Sequence, residues 1–104
     1  MAARATRVGR GLEQPEEGSF SRELALSQVQ GVVAQRVGQF GKRHRLSVRE
    51  EQIFLRLVLG SHPKAIGASL GCEYGTVRTH IRRMQKKLGC TGMRELLVRF
   101  ISEL

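Results

Sequence analysis

Between Gly75 and Leu88 the chain sets five basic residues, Arg78, Arg82, Arg83, Lys86 and Lys87, among no acidic ones. Groups of this kind hold polyanions. Guanidinium forks pair with phosphate or with the acceptor edge of guanine, and ammonium groups neutralise phosphates. Spacing decides how they are presented. Val77, Ile81, Met84 and Leu88 fall within a stripe roughly 60° wide on a helical wheel. Gly75, Arg78, Thr79, Arg82 and Lys86 take the opposite side. One face is built for burial and the other to meet negative charge, as in a helix carried into a DNA groove.

Other chemistry is sparse. Cys72 and Cys90 form no C-x-x-C, and they read as small core hydrophobes of a reducing cytoplasm. Spacing alone leaves a Cys72–Cys90 redox pair open. His44, His62 and His80 recur every 18 residues. Their surroundings do not repeat and no pair has finger-like spacing, so no metal is expected. Paired carboxylates, a nucleophile with its base and a phosphate-binding loop are all missing, which argues against an enzyme and against a cofactor. The net charge of +9, from 18 Lys and Arg against nine Glu, predicts an anionic partner. Nucleic acid is preferred over membrane, since no apolar run approaches the roughly 18 residues of a span. The apolar core of a secretory signal is also missing, and a cytoplasmic protein is expected.

The elements that would position the basic helix follow from pattern. Residues 1–19 have nothing to bury and read as a disordered basic arm with Arg4, Arg7 and Arg10. Residues 20–41 carry Ala25, Leu26, Val29, Val32, Val33, Val37 and Phe40 within roughly 140° of a wheel. This amphipathic helix is expected to pack on the following domain or to dimerise, with Gly41–Arg45 as a basic junction. Residues 46–104 form the compact domain. Ser47-Val-Arg-Glu50 is a capping box. A first helix with Ile53, Phe54, Leu57 and Val58 ends at Gly60. Pro63 opens a short second helix that Gly71 stops, the basic helix follows to Gly89, and Thr91 caps a last one. On that last helix Leu97, Phe100, Ile101 and Leu104 share a face. The class is all-α, and the short helix, tight turn and longer polar-faced helix make a helix-turn-helix.

Residues Leu46 to about Leu97 resemble the DNA-binding domain of the LuxR/NarL/FixJ family of bacterial transcription regulators. The likeness rests on Leu46-Ser47-x-Arg49-Glu50, Leu57-x-x-Gly60, Lys64-x-Ile66-Gly67-x-x-Leu70, Thr76-Val77-Arg78-x-His80 and Lys87-Leu88-Gly89 followed by Arg94. The chain departs from the pattern at Val48, where Pro is usual, and at Pro63-Lys64-Ala65, where Asn-Lys-Glu is usual. It departs again at Glu73, where a Ser-like cap is usual and Glu caps poorly.

The resemblance implies a four-helix LuxR-type domain with an additional N-terminal amphipathic helix, acting as a transcription regulator on double-stranded DNA. It carries base reading onto Arg78, Thr79 and Arg82, the residues the wheel also selects. Lys64, Tyr74, Thr76, Arg83, Lys86 and Lys87 are expected to hold phosphates, and His80 to pack and orient. It implies a homodimer through the last helix. Leu97 and Ile101 are expected to close the core, leaving Phe100 or Leu104 for the exposed contact. Most members carry a receiver or ligand-binding domain ahead of the motif, whereas residues 1–45 precede it here. The chain is either a stand-alone regulator or one parted from its sensor. With no Asp anywhere, it has no receiver-type phospho-acceptor of its own. The alternative keeps the fold but makes it a protein-interaction module, either an anti-regulator or an RNA-polymerase-binding piece similar to sigma region 4.

Overall fold

Ser47 and Glu50 open the helical frame as their spacing predicts. The Glu50 amide donates to Ser47 Oγ at 3.1 Å, and the Ser47 amide donates to Glu50 Oε1 at 2.8 Å. In this computed structural model, residues 14–104 are described, with side chains from residue 21 onward. Five helices follow in chain order: α1 Gln14–His44, α2 Val48–Val58, α3 Pro63–Leu70, α4 Tyr74–Leu88 and α5 Met93–Ser102. There is no strand among the described residues. The all-α helix-turn-helix frame with an additional N-terminal helix is therefore present.

Local chemistry sets most of the boundaries. His62 caps α3, its Nδ1 accepting from the Lys64 amide at 3.2 Å, and Pro63 follows where its missing N–H costs nothing. Gly71 and Gly89 end α3 and α4 in the left-handed region, each at φ 70°. Glu73 stands at the N-cap of α4 and makes no side-chain cap bond, as its residue type predicts. The expected cap of the last helix is different. Gly92 occupies that position, while the Thr91 amide and hydroxyl donate to Glu95 Oε1 at 2.7 and 3.3 Å. The Glu95 carboxylate thus reaches back from the first turn to the residue ahead of the cap, and no side chain caps the amides of α5.

The chain divides into two units, residues 1–32 and 33–104. The expected disordered arm lies largely outside the described residues, but α1 already begins at Gln14, where Pro15 suits a first turn. Nor does α1 stop in a junction at residues 41–45. It runs through Lys42 and Arg43 to His44, and Arg45 ends it at φ 60° while the Leu46 amide donates to the Gly41 carbonyl at 2.9 Å. The wide apolar face of α1 has two fates. Val37 and Phe40 are buried in the core of the second unit. Leu24, Leu26, Val29 and Val32 are exposed.

The core of residues 33–104 forms around three rings. Phe40 stacks on Phe54 with centroids 5.2 Å apart, and Phe100 meets both edge-on at 5.4 Å, geometries that aromatic pairs favour. Ile53, Ile66, Val77, Met84 and Leu96 fill the rest. This corrects the reading of the last helix. Leu96 and Phe100 point inward one turn apart, so Phe100 is a core ring rather than an exposed contact. Ile101, expected inside, is exposed, as are Val98 and Leu104.

Glu103 fastens the two ends of this unit. It accepts from Arg43 at 2.7 Å and pairs with His44 at 2.9 Å and Arg99 at 3.3 Å. The hydrogen bond from His44 holds its carboxyl below the usual carboxylate range. A smaller desolvation effect opposes this, and Arg43 adds to the lowering.

Candidate nucleic-acid interface

The four apolar residues of the α4 stripe are all buried. Burial of that seam fixes the rotation of the helix and turns Tyr74, Thr76, Arg78, Thr79, Arg82, Arg83 and Lys86 outward, all exposed. No ion pair among the described residues engages Lys64, Arg78, Arg82, Arg83 or Lys86. Four cations on one helix without carboxylate partners leave a field that an incoming polyanion would neutralise.

Two shallow grooves flank the arginines. One, of about 320 Å³, is lined by Pro63, Tyr74, Arg78, Ile81, Arg82, Gln85 and Met93. The other, of about 450 Å³, is lined by Thr79, Arg82, Arg83, Gln85, Lys86 and Cys90. Arg82 and Gln85 border both. Gln85 was missed by the charge pattern because it is uncharged and lies at the flank of the stripe. Its amide can nevertheless donate to and accept from a base edge. Thr79 donates its hydroxyl to the Gly75 carbonyl at 3.0 Å, which leaves its methyl group and both oxygen lone pairs for a ligand.

Lys87 has a different job from the expected phosphate contact. Its Nζ donates to Glu50 Oε1 at 2.7 Å and to the Arg45 carbonyl at 2.8 Å. Glu50 is 2% exposed, and a buried carboxylate needs a cation partner. Burial pushes the Glu50 carboxyl up. Lys87, the Ser47 amide and the charge of His80 together outweigh that and hold it below the usual value. The capping box is visible in sequence, whereas the burial that recruits Lys87 to it appears only in the folded frame. His80 is half-buried, as a packing residue should be, and its Nδ1 is enclosed without a hydrogen-bond partner among the described residues.

The approach of α3 to α4 is set by backbone. A Cβ added at Gly67 would lie 2.7 Å from the Cys72 carbonyl oxygen, so only glycine lets the turn close there. The far end of α4 is tied more heavily. The amides of Gly89 and Cys90 donate to the Lys86 and Gln85 carbonyls, and Arg99 donates to the Leu88 carbonyl at 3.0 Å. Cys72 and Cys90 are free thiols, both partly buried. No group of three or more His, Cys, Asp or Glu among the described residues could hold a metal ion. No helix among them is long and apolar enough to cross a membrane.

Compared with known families, residues 44–100 match the one described as bacterial regulatory proteins, luxR family. No curated protein and no solved structure matches the chain.

Proposed function

Because the chain belongs to the luxR family of bacterial regulatory proteins, we propose that it is a sequence-specific regulator of transcription that inserts α4 into the major groove of double-stranded DNA. One observation carries the reading. The exposed face of α4 presents Arg78, Arg82, Arg83 and Lys86 without carboxylate partners among the described residues, while its opposite face is locked in the core. Arg78 and Arg82 are assigned as bidentate readers of guanine, and Thr79 as a contact to a thymine methyl. Lys64, Thr76, Arg83 and Lys86 are assigned to phosphates. The protein acts in the cytoplasm as a homodimer on DNA. Val98 and Ile101 of α5 and Leu104 just beyond it, more than half exposed each, supply the contact in place of Phe100.

Selection from a random duplex library, followed by anisotropy titrations across salt, tests this. A palindromic product and an affinity that falls steeply with salt are expected. A flat salt response contradicts the proposal. Arg82→Ala should cost about 1–3 kcal/mol and relax preference at one base pair, whereas Lys86→Ala should weaken all sequences alike.

A second reading makes the fold a protein-interaction module, either an anti-regulator or an RNA-polymerase-binding piece. The exposed Leu24, Leu26, Val29 and Val32 of α1 favour it. Pull-down of polymerase with and without DNA separates the two readings, since only the second predicts capture in the absence of DNA.

A further inference from the structure

The first turn of α4 lacks a cap, yet the first base-reading residue sits just beyond it. Glu73 contributes no side-chain bond to the free amides there. Tyr74, the opening residue of α4, is 41% exposed. Two cations lie over its ring. Lys64 Nζ, from α3, is 5.9 Å from the centroid, and the Arg78 guanidinium carbon, one turn along α4, is 5.7 Å away. Both distances fall within the roughly 6 Å over which a ring quadrupole attracts a cation. Neither cation has a carboxylate partner among the described residues.

We infer that Tyr74 is a positioning residue: its ring, not its hydroxyl, holds the Arg78 guanidinium in place and ties Lys64 of α3 to the uncapped start of α4. This rests on the reading of Arg78 as a base contact and replaces the expected role of Tyr74 as a phosphate contact. The physical argument concerns freedom. A long arginine side chain on a bare surface samples many rotamers, and bidentate pairing requires one fork orientation. A ring at i−4 restricts that set before DNA arrives, which lowers the ordering cost of binding. Arg78 and Tyr74 also border the same 320 Å³ groove, with Arg82 and Gln85 along it, so a guanidinium held on the ring stays at the groove wall.

The full chain carries the test, in four forms: Tyr74→Phe, Tyr74→Ala, Arg78→Ala and the Tyr74→Ala/Arg78→Ala double variant. Anisotropy titrations use the selected duplex and a set with each base pair changed in turn. Tyr74→Phe should match the parent within twofold. Tyr74→Ala should lower discrimination by about 2–5-fold at the base pair that Arg78→Ala affects. The double variant should lose no more there than Arg78→Ala alone. Should Tyr74→Phe fail as badly as Tyr74→Ala, the hydroxyl is at work and the inference is overturned. Additive losses in the double variant overturn it too. NMR of the free protein gives a readout independent of DNA. The Arg78 side-chain protons should be displaced upfield by the ring, with the displacement kept in Tyr74→Phe and lost in Tyr74→Ala. If Arg78→Ala alters no base preference but that displacement is seen, base reading by Arg78 fails while the clamp stands. If the displacement is missing, the clamp fails whatever the titrations give.

Discussion

The two ends of α4 are built differently. At its last turn, backbone amides close on Gln85 and Lys86, Arg99 takes up the Leu88 carbonyl, and Lys87 reaches a buried carboxylate across the domain. At its first turn no side chain caps the helix, and Tyr74 and Gly75 are exposed. The difference teaches where rigidity is placed. The last turn is tied to the domain by backbone and side-chain bonds, whereas the first turn relies on packing without a side-chain cap. A phosphate arriving at the free amides of the first turn would supply the missing cap.

Four substitutions break or sharpen that contrast. The largest effect is expected at Gly67→Ala, because the added Cβ meets backbone that cannot yield. A loss of about 3 kcal/mol in denaturant unfolding is anticipated, and a loss under 1 kcal/mol would show that the turn before α4 is looser than its geometry implies.

Next is Lys87→Ala, at about 2 kcal/mol. It leaves Glu50 buried with only the Ser47 amide, and the figure is discounted because the Lys87 side chain is 37% exposed. The same pair sets a pH response. The Glu50 carboxyl titrates lower in the folded chain than unfolded, so its contribution is full above the ordinary carboxylate pKa and fades as pH falls through the folded value. The cost of Lys87→Ala should therefore be full at neutral pH and shrink as pH falls through the folded Glu50 value, and a cost that does not change with pH would remove the pair from the anchor.

Glu73→Ser is expected to stabilise by about 1 kcal/mol by capping the loose end. Hydrogen exchange at Gly75 and Thr76 should slow while the last turn is unchanged. Equal slowing at both ends would erase the distinction between them. The smallest effect is expected at Arg45→Gly. Relief of a left-handed arginine is nearly offset by the freedom glycine gains on unfolding, for a net gain of about 0.5 kcal/mol in thermal unfolding. A clear loss would mean that the Arg45 side chain contributes to the anchor as well as its carbonyl.

Periodicity and punctuation carried most of the frame. The capping box, Pro63, the glycine stops and the α4 stripe depend on neighbours within a turn or two, and each appears where expected. Misreadings arose where the deciding partner is remote in sequence. The last helix carries more apolar residues on its face than one small core needs, so sequence alone sets Phe100 outside, and only Phe40 and Phe54 decide that it turns in. Lys87 was grouped with Lys86 because charge looks alike along a helix, whereas Glu50, 37 residues away, makes it different. The Lys64–Tyr74–Arg78 cluster was named residue by residue, but its contact depends on how α3 crosses α4.

Phe40 has a practical consequence. The family match starts at residue 44, yet the folding unit starts at Val33. A recombinant fragment trimmed to the homology boundary would strip one ring from the aromatic trio and leave Phe54 and Phe100 facing water on the side Phe40 now covers. The shortest excised piece with a dry centre therefore begins in the middle of α1, where a homology boundary would not place a cut.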